Sequence, residues 1–332
     1  RSLFGMGWSL ASTVAKLERC HQMPVPATAT TNVEMTCLQG LADLERMEGP
    51  WCWIAWTWSW PSLGWMPMFA RLPVTTAPFV NRVVNRPMKA PQALLDRIGK
   101  NPDTAAGYKR LVIVMGQLGD FDSMEYAQAL VPRLAELELA RIDLQAFAIG
   151  DAAGAERFCT FTGFPRPALT VDSSSELHEA LNLYGGLQVP GGPWPGFLLM
   201  CAGIGSPGTL QEVLRGYTGD RSAPQIFADE EEVKAWPLPA FRAAMFARAG
   251  GRGFQRPFEL ATKRLRNMGE VLSNWRIYVP CDDHIAQRGG TFLLDEDGSL
   301  LYERRETHLL GFADDMAAPL DFLKPYLIID PS

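Results

Sequence analysis

Six cysteines, at positions 20, 37, 52, 159, 201 and 281, are the first candidates for chemistry, because a thiolate is both a strong nucleophile and a soft metal ligand. They lie far apart, with no C-x-x-C pair and no Cys/His cluster at zinc spacing. That scatter fits a reducing compartment and not a disulfide scaffold. Cys159, beside Phe158 and Phe161 in a helical pattern, reads as core, whereas a redox role for Cys201 or Cys281 stays open. His21, His178, His284 and His308 have no mutual spacing suited to a metal or a catalytic pair, and His284 with Asp282 and Asp283 reads as a surface loop. Gly203-Ile204-Gly205-Ser206-Pro207-Gly208 matches the dinucleotide pattern G-x-G-x-x-G. The preceding GGPWPGFLLM is a poor parallel strand, so the segment reads as a tight glycine turn, with Ser206 as helix cap and Pro207 as first helical residue.

Three charged groupings complete the set. Asp120-Phe121-Asp122-Ser123 opens a helical pattern, where a carboxylate suits an N-cap that accepts backbone N–H bonds, worth about 1 kcal/mol. Arg252, Arg256, Lys263, Arg264 and Arg266 form the basic part of an acidic protein. With Phe258, Ala261, Leu265, Met268, Leu272 and Trp275 at helical spacing, one face is expected to be buried and the cations to point outward, to solvent, an acidic partner or anionic lipid. Glu230 to Glu232 reads as a solvated acidic run.

The elements that must position these residues follow from periodicity. Arg110–Met115 (RLVIVM) is a continuous apolar run, expected to be a strand buried on both faces at the centre of a sheet. A helix over about 123–139 and a strand at 144–149 complete a right-handed β-α-β unit. Further helices are expected at 153–162 and from Ser175, as its cap, to Leu183, with a strand at 168–171 between them. Strands at 291–294 and 299–303 form a hairpin, and a helix at 313–327 ends the domain. Residues 72–109, punctuated by Pro78, Pro87, Pro91 and Pro102, read as a connector with a short helix near 93–98.

Before that connector lies an uncharged stretch, Gly49 to Ala70, which holds Trp51, Trp53, Trp56, Trp58, Trp60 and Trp65, six of the chain's ten tryptophans, together with Phe69. Such rings favour a membrane interface or a partner surface. Pro50, Pro61 and Pro67 argue against a membrane span, which leaves packing on the protein's own core, or docking. The chain begins at Arg1 without methionine, leaving room for an upstream targeting segment. With 47% hydrophobic and 20% charged residues the protein is globular, and a net charge of −6 from 31 Lys+Arg and 37 Asp+Glu offers no overall attraction to nucleic acid.

RLVIVMGQLGDFDSMEYAQAL, ERFCTFTGFP, Val171-Asp172 and QRGGTFLLDEDGSLLYERR resemble the peroxiredoxin-like branch of the AhpC/TSA family, in the version found in cyanobacteria and plastids, over residues 108–327. The resemblance implies an α/β, thioredoxin-like fold with a long helical insertion at about 185–280 and a Trp-rich N-terminal extension. The corresponding division is an extension over 1–105, with its docking segment 49–70 and linker, and a domain over 106–330. In that family the turn after the first long strand carries a reactive cysteine. Here it is Asp120-Phe121-Asp122-Ser123, and neither a carboxylate nor a lone Ser replaces a polarisable sulfur, so the resemblance implies a dead redox site. Arg288 resembles the arginine that stabilises the attacking thiolate, and is left as a relic or as a salt-bridge partner of Asp120 or Asp122.

The reading is a redox-inactive binding or scaffold subunit at the periphery of the chloroplast thylakoid membrane, attached to protein subunits of a photosystem or antenna complex. It has no intrinsic cofactor and no metal, with chlorophyll or lipid contact as an option. The alternatives are a thiol-dependent antioxidant enzyme using Cys159, Cys201 or Cys281, and a transient assembly factor.

Overall fold

The computed structural model describes residues 82–99, 107–235 and 237–327. The tryptophan-rich segment and the remainder of the extension before Arg82 lie outside the described residues. In chain order the strands are β1 (Arg82–Lys89), β2 (Lys109–Gln117), β3 (Ile142–Ile149), β4 (Leu169–Asp172), β5 (Glu232–Val233), β6 (Phe241–Arg242), β7 (Gly290–Leu294) and β8 (Ser299–Arg305). Six of them form one sheet in the order β1-β8-β7-β2-β3-β4. The pairs β2–β3 and β3–β4 are parallel, while β7 runs antiparallel to both β2 and β8. This is a thioredoxin-like arrangement, a β-α-β half joined through the central β2 to an antiparallel hairpin.

The run Leu111 to Met115 is buried throughout, as expected of a central strand covered on both faces. Val112 and Val114 share one face with Phe292, Leu294 and Leu300. That face is closed by α1 (Gln92–Ile98), through Leu94 and Ile98, and by Leu177 and Leu181 of a later helical segment. Leu111, Ile113 and Met115 alternate to the other face, where α2 (Phe121–Leu130) packs on β2.

Four local expectations are corrected. The connector at 72–109 contributes β1, which pairs antiparallel with β8 and extends the sheet toward the N-terminus of the expected boundary near 105. The helix expected over 123–139 is broken: α2 ends at Leu130, a 3-10 turn spans Val131–Arg133, and α3 (Leu134–Leu139) resumes, because Pro132 has no N–H to continue the ladder. Ser175 precedes a short helix, α5 (Glu176–Ala180), which follows α4 (Ala152–Thr162), but its hydroxyl bonds the Glu179 carboxylate at 2.6 Å in place of a backbone N–H. The terminal helix expected at 313–327 reduces to a 3-10 helix, Asp321–Tyr326, with Pro325 inside it. Before it, the chain from Glu306 to Asp314 is drawn across the site as an irregular strap, with Leu310 in the left-handed region at φ 59°.

The insertion contains α6 (Pro193–Cys201), α7 (Thr209–Thr218), the β5–β6 hairpin, α8 (Ala244–Gly250), α9 (Glu259–Ser273) and α10 (Trp275–Tyr278). Helix α9 packs between α7 and α2, so the insertion rests on the helix that carries the site. The glycine turn at 203–208 follows helix α6 and not a strand, which removes the strand–loop–helix setting of a dinucleotide site. Its helix begins at Thr209 and not at Pro207, because the Ser206 hydroxyl is turned to Thr209 Oγ1 at 2.6 Å and accepts from Leu309 N at 2.8 Å. Among the described residues no helix is long and apolar enough to cross a membrane.

Candidate functional site

The chain leaves β2 at Gln117 and turns into α2, so the first residues of α2 lie at the open end of the parallel strands, where α/β sheets place their sites. Asp120 is the N-cap: its Oδ1 accepts from Asp122 N at 3.0 Å, and it complements the helix dipole. Asp122 points inward and is 2% exposed. Its carboxylate accepts from Arg288 Nη1, Leu310 N and Gly311 N, each at 2.9 Å. Arg288 is fully buried; it lies 3.2 Å from the Asp120 carboxylate and donates from Nε to the Ala286 carbonyl at 3.1 Å.

A third carboxylate completes the group. Glu306, buried at the end of β8, accepts from Gly289 N at 2.8 Å. Beside it Arg304 donates to the Gly311 carbonyl at 2.8 Å and pairs with Asp314, which closes the strap over Asp122. Sequence reasoning placed Asp120, Asp122 and Arg288 together and missed Glu306, Arg304 and the two strap amides. The one signal for them was the charge pattern E-R-R-E at 303–306, since inward-facing charges on a strand need partners.

Electrostatics follow from the geometry. Burial, then the negative charges of Asp120 and Glu306, push Asp122 well above the usual aspartate range against the pull of Arg288 and the Leu310 amide. Burial also lifts Glu306 to about 7, with Arg288 pulling it down and Asp120 pushing it up. A carboxyl raised on folding contributes stability that is complete below its ordinary range and is lost as pH rises through the folded value. The melting temperature is therefore expected to fall as pH rises through about 7, and Glu306→Gln to flatten that slope. An unchanged slope in the variant, read by a thermal melt series, would exclude Glu306 as its source.

The thiols of the described residues are elsewhere. Burial pushes Cys159 up to about 11 and Cys201 up to about 12, the latter in spite of Arg288. Cys281 is exposed; its thiol donates to Asp283 Oδ2 at 3.2 Å, and its carbonyl accepts from Gln117 at the end of β2. Among the described residues no group of three His, Cys, Asp or Glu is placed to hold a metal ion.

The basic residues do not make one outward face. Arg256 is fully buried between Asp229 and Glu259. Arg264 pairs with Glu125 of α2 at 2.7 Å, and burial holds Lys263 below the usual lysine range. Arg266 reaches Glu231 at 3.8 Å and lies over the Phe227 ring, while Arg252 is exposed and paired with Asp229 at 2.6 Å. Phe258, expected on the buried face, is 55% exposed. Acids from distant segments, invisible to local spacing, draw these cations inward.

The sheet order, with α2 opening beside a buried arginine, defines the class as a thioredoxin-like protein whose site is filled by its own carboxylates. A family model described as AhpC/TSA antioxidant enzyme matches residues 129–308, more than half the chain, and the protein belongs to that family. The matched span begins after the Asp120–Ser123 turn and includes the insertion, Arg288 and Glu306. No curated protein and no solved structure matches the chain.

Proposed function

We propose that this protein is a redox-inactive member of its family that works by binding, as a scaffold subunit. The observation that carries the reading is the Asp122 carboxylate, which already takes up Arg288 and the Leu310 and Gly311 amides beneath the strap. These donors would otherwise stabilise an attacking anion; here the anion is built in. Peroxide reduction needs a nucleophile whose sulfur accepts the peroxide oxygen, and oxygen in a carboxylate or in Ser123 cannot. The subgroup resemblance and the tryptophan-rich segment support a place at the thylakoid periphery of a chloroplast, on protein subunits of a photosystem or antenna complex, with lipid or chlorophyll contact.

One observation favours a second reading, a thiol-dependent antioxidant enzyme: Cys281 is exposed, and its segment touches the end of β2. A peroxide-consumption assay with a dithiol reductant separates the two. No turnover above the protein-free rate is expected, and none is expected to be lost in the Cys159→Ser/Cys201→Ser/Cys281→Ser variant. Turnover abolished by Cys281→Ser alone would overturn the redox-inactive reading. Separation of native membrane complexes with mass spectrometry addresses placement: a fixed ratio to a chlorophyll-containing complex marks a subunit, and a substoichiometric ratio an assembly factor.

A further inference from the structure

Helix α7 turns two charged residues toward the protein. Its charged residues Glu212 and Arg215 face the protein, with side chains only 12% and 13% exposed, and they pair with each other, with Arg264 and with Asp220. Gly216 lets the α7 backbone close on α9, where an added Cβ would lie 3.4 Å from Ala261 N. Part of the apolar stripe of α7 is left outward: Leu210 and Val213 are half-buried, but Leu214 is 60% exposed and Tyr217 40%. A surface helix ordinarily buries that stripe.

A second element extends the same surface. Phe258 holds a left-handed backbone at φ 66°, which a bulky residue adopts only when its surroundings impose it. Its N–H donates to the Tyr217 carbonyl at 3.1 Å, and its ring meets the Tyr217 ring edge-on at 6.1 Å between centroids. Leu214, Tyr217 and Phe258 thus form one exposed apolar ridge.

Exposed arginines lie near the ridge. Between Glu232 and Glu259 the chain carries Lys234, Arg242, Arg248, Arg252 and Arg256 and no Asp or Glu, while the acidic run Glu230–Glu232 lies by the start of α8, where Lys234 pairs with Glu232 at 3.1 Å and Arg242 stands opposite it. Arg256 is consumed internally, but Arg248 is exposed on α8, whose last residue, Gly250, abuts Pro257 beside Phe258. Arg221, also exposed, lies over the Phe254 ring at 5.5 Å. The nearby acids Asp220 and Asp229 are taken up by Arg215 and by Arg252 and Arg256. Aromatic and aliphatic side chains near exposed arginines, at the end of α8 away from the acidic run, match the interface of an anionic bilayer: the rings enter the headgroup boundary and the guanidinium groups meet lipid phosphate or sulfate.

We infer that the ridge Leu214–Tyr217–Phe258, with Arg221 and Arg248 beside it, is a docking surface for an anionic membrane. The assignment deepens the membrane-peripheral reading but rests on residues other than the tryptophan-rich segment, so each can fail alone. It is also independent of the peroxide assay.

Oxidative side-chain footprinting of the full chain provides a local readout, using vesicles of phosphatidylcholine alone and of equimolar phosphatidylcholine and phosphatidylglycerol. Labelling of Tyr217 and Phe258 is expected to fall several-fold with the anionic vesicles only, and to recover at high salt. In the Leu214→Ser/Arg221→Gln/Arg248→Gln variant, whose three positions are exposed and whose fold circular dichroism verifies, Tyr217 labelling is expected not to respond. Unchanged labelling of Tyr217 and Phe258 in the wild type with anionic vesicles would overturn the inference, whether or not the chain binds them through another segment. So would equal protection by both vesicle types, or protection of this ridge by an acidic protein alone.

Discussion

Arg288→Met is expected to destabilise the protein by about 3–5 kcal/mol, the range for removing one partner of a buried ion group and leaving its counter-charges uncompensated. Arg288 is the fully buried cation against which Asp120 and Asp122 are packed, and its charge also holds Glu306 down. Without it, three carboxylates share a low-dielectric site, and the Ala286 carbonyl loses its donor just before β7. Met preserves the length of the side chain, so the loss reports charge and hydrogen bonding more than a cavity. The deficit is expected to shrink on acidification, because protonated carboxyls no longer require the guanidinium. Urea denaturation followed by circular dichroism at two pH values checks both the size and the pH trend. A loss below about 1 kcal/mol at neutral pH, the scale of one ordinary hydrogen bond, would mean that Arg288 is not the keystone of the cluster. Lysine is no substitute, since one ammonium cannot reach the aspartates and the loop carbonyls with the spread of a planar fork.

The central strand, the Asp120 cap, the parallel unit and the hairpin could be read from the sequence because each is decided by neighbours within a few residues. RLVIVM has a single comfortable environment, and a carboxylate just before a helical pattern has a single inexpensive role. Long-range features escaped. The strap amides that bond Asp122 lie 188 and 189 residues further along the chain, in a stretch between the expected hairpin and the expected terminal helix to which no element was assigned. β1 escaped for a different reason: Pro87 suggests a connector, yet β1 is an edge strand, where a missing N–H costs the ladder little. The arginines of the insertion were assigned outward because spacing along one helix carries no information about Glu125, Glu212 and Asp229, which reach them from other elements. On helix α7, likewise, Glu212 and Arg215 turn inward because Arg264 and Asp220 wait there.

Glu259→Ala is expected to cost about 3–5 kcal/mol and to act first on the insertion. Glu259 is fully buried at the first turn of α9, where the helix dipole favours its charge. One oxygen accepts from Phe227 N at 2.8 Å and from Arg256 Nη2 at 2.7 Å, and the other from Arg256 N at 2.8 Å. Truncation strips three donors at once and leaves the fully buried Arg256 leaning on Asp229 and the Phe227 carbonyl. The small core of Phe227, Val233, Ala243 and Phe246, over which Arg256 lies, would then enclose a poorly compensated charge. Lys324→Ala, which breaks the exposed pair with Asp321, is the matched control and is expected to cost less than about 1 kcal/mol. Because α9 joins α2 through Arg264 and Glu125, the damage should reach the main domain only after the insertion has loosened. Hydrogen exchange should therefore show amides around 225–260 losing protection before those of β2 and β3. Simultaneous loss in both regions would make insertion and sheet one cooperative unit. Loss confined to the insertion would show that the ridge at Phe258, fixed by this same turn, can be disordered while the thioredoxin-like sheet stays folded.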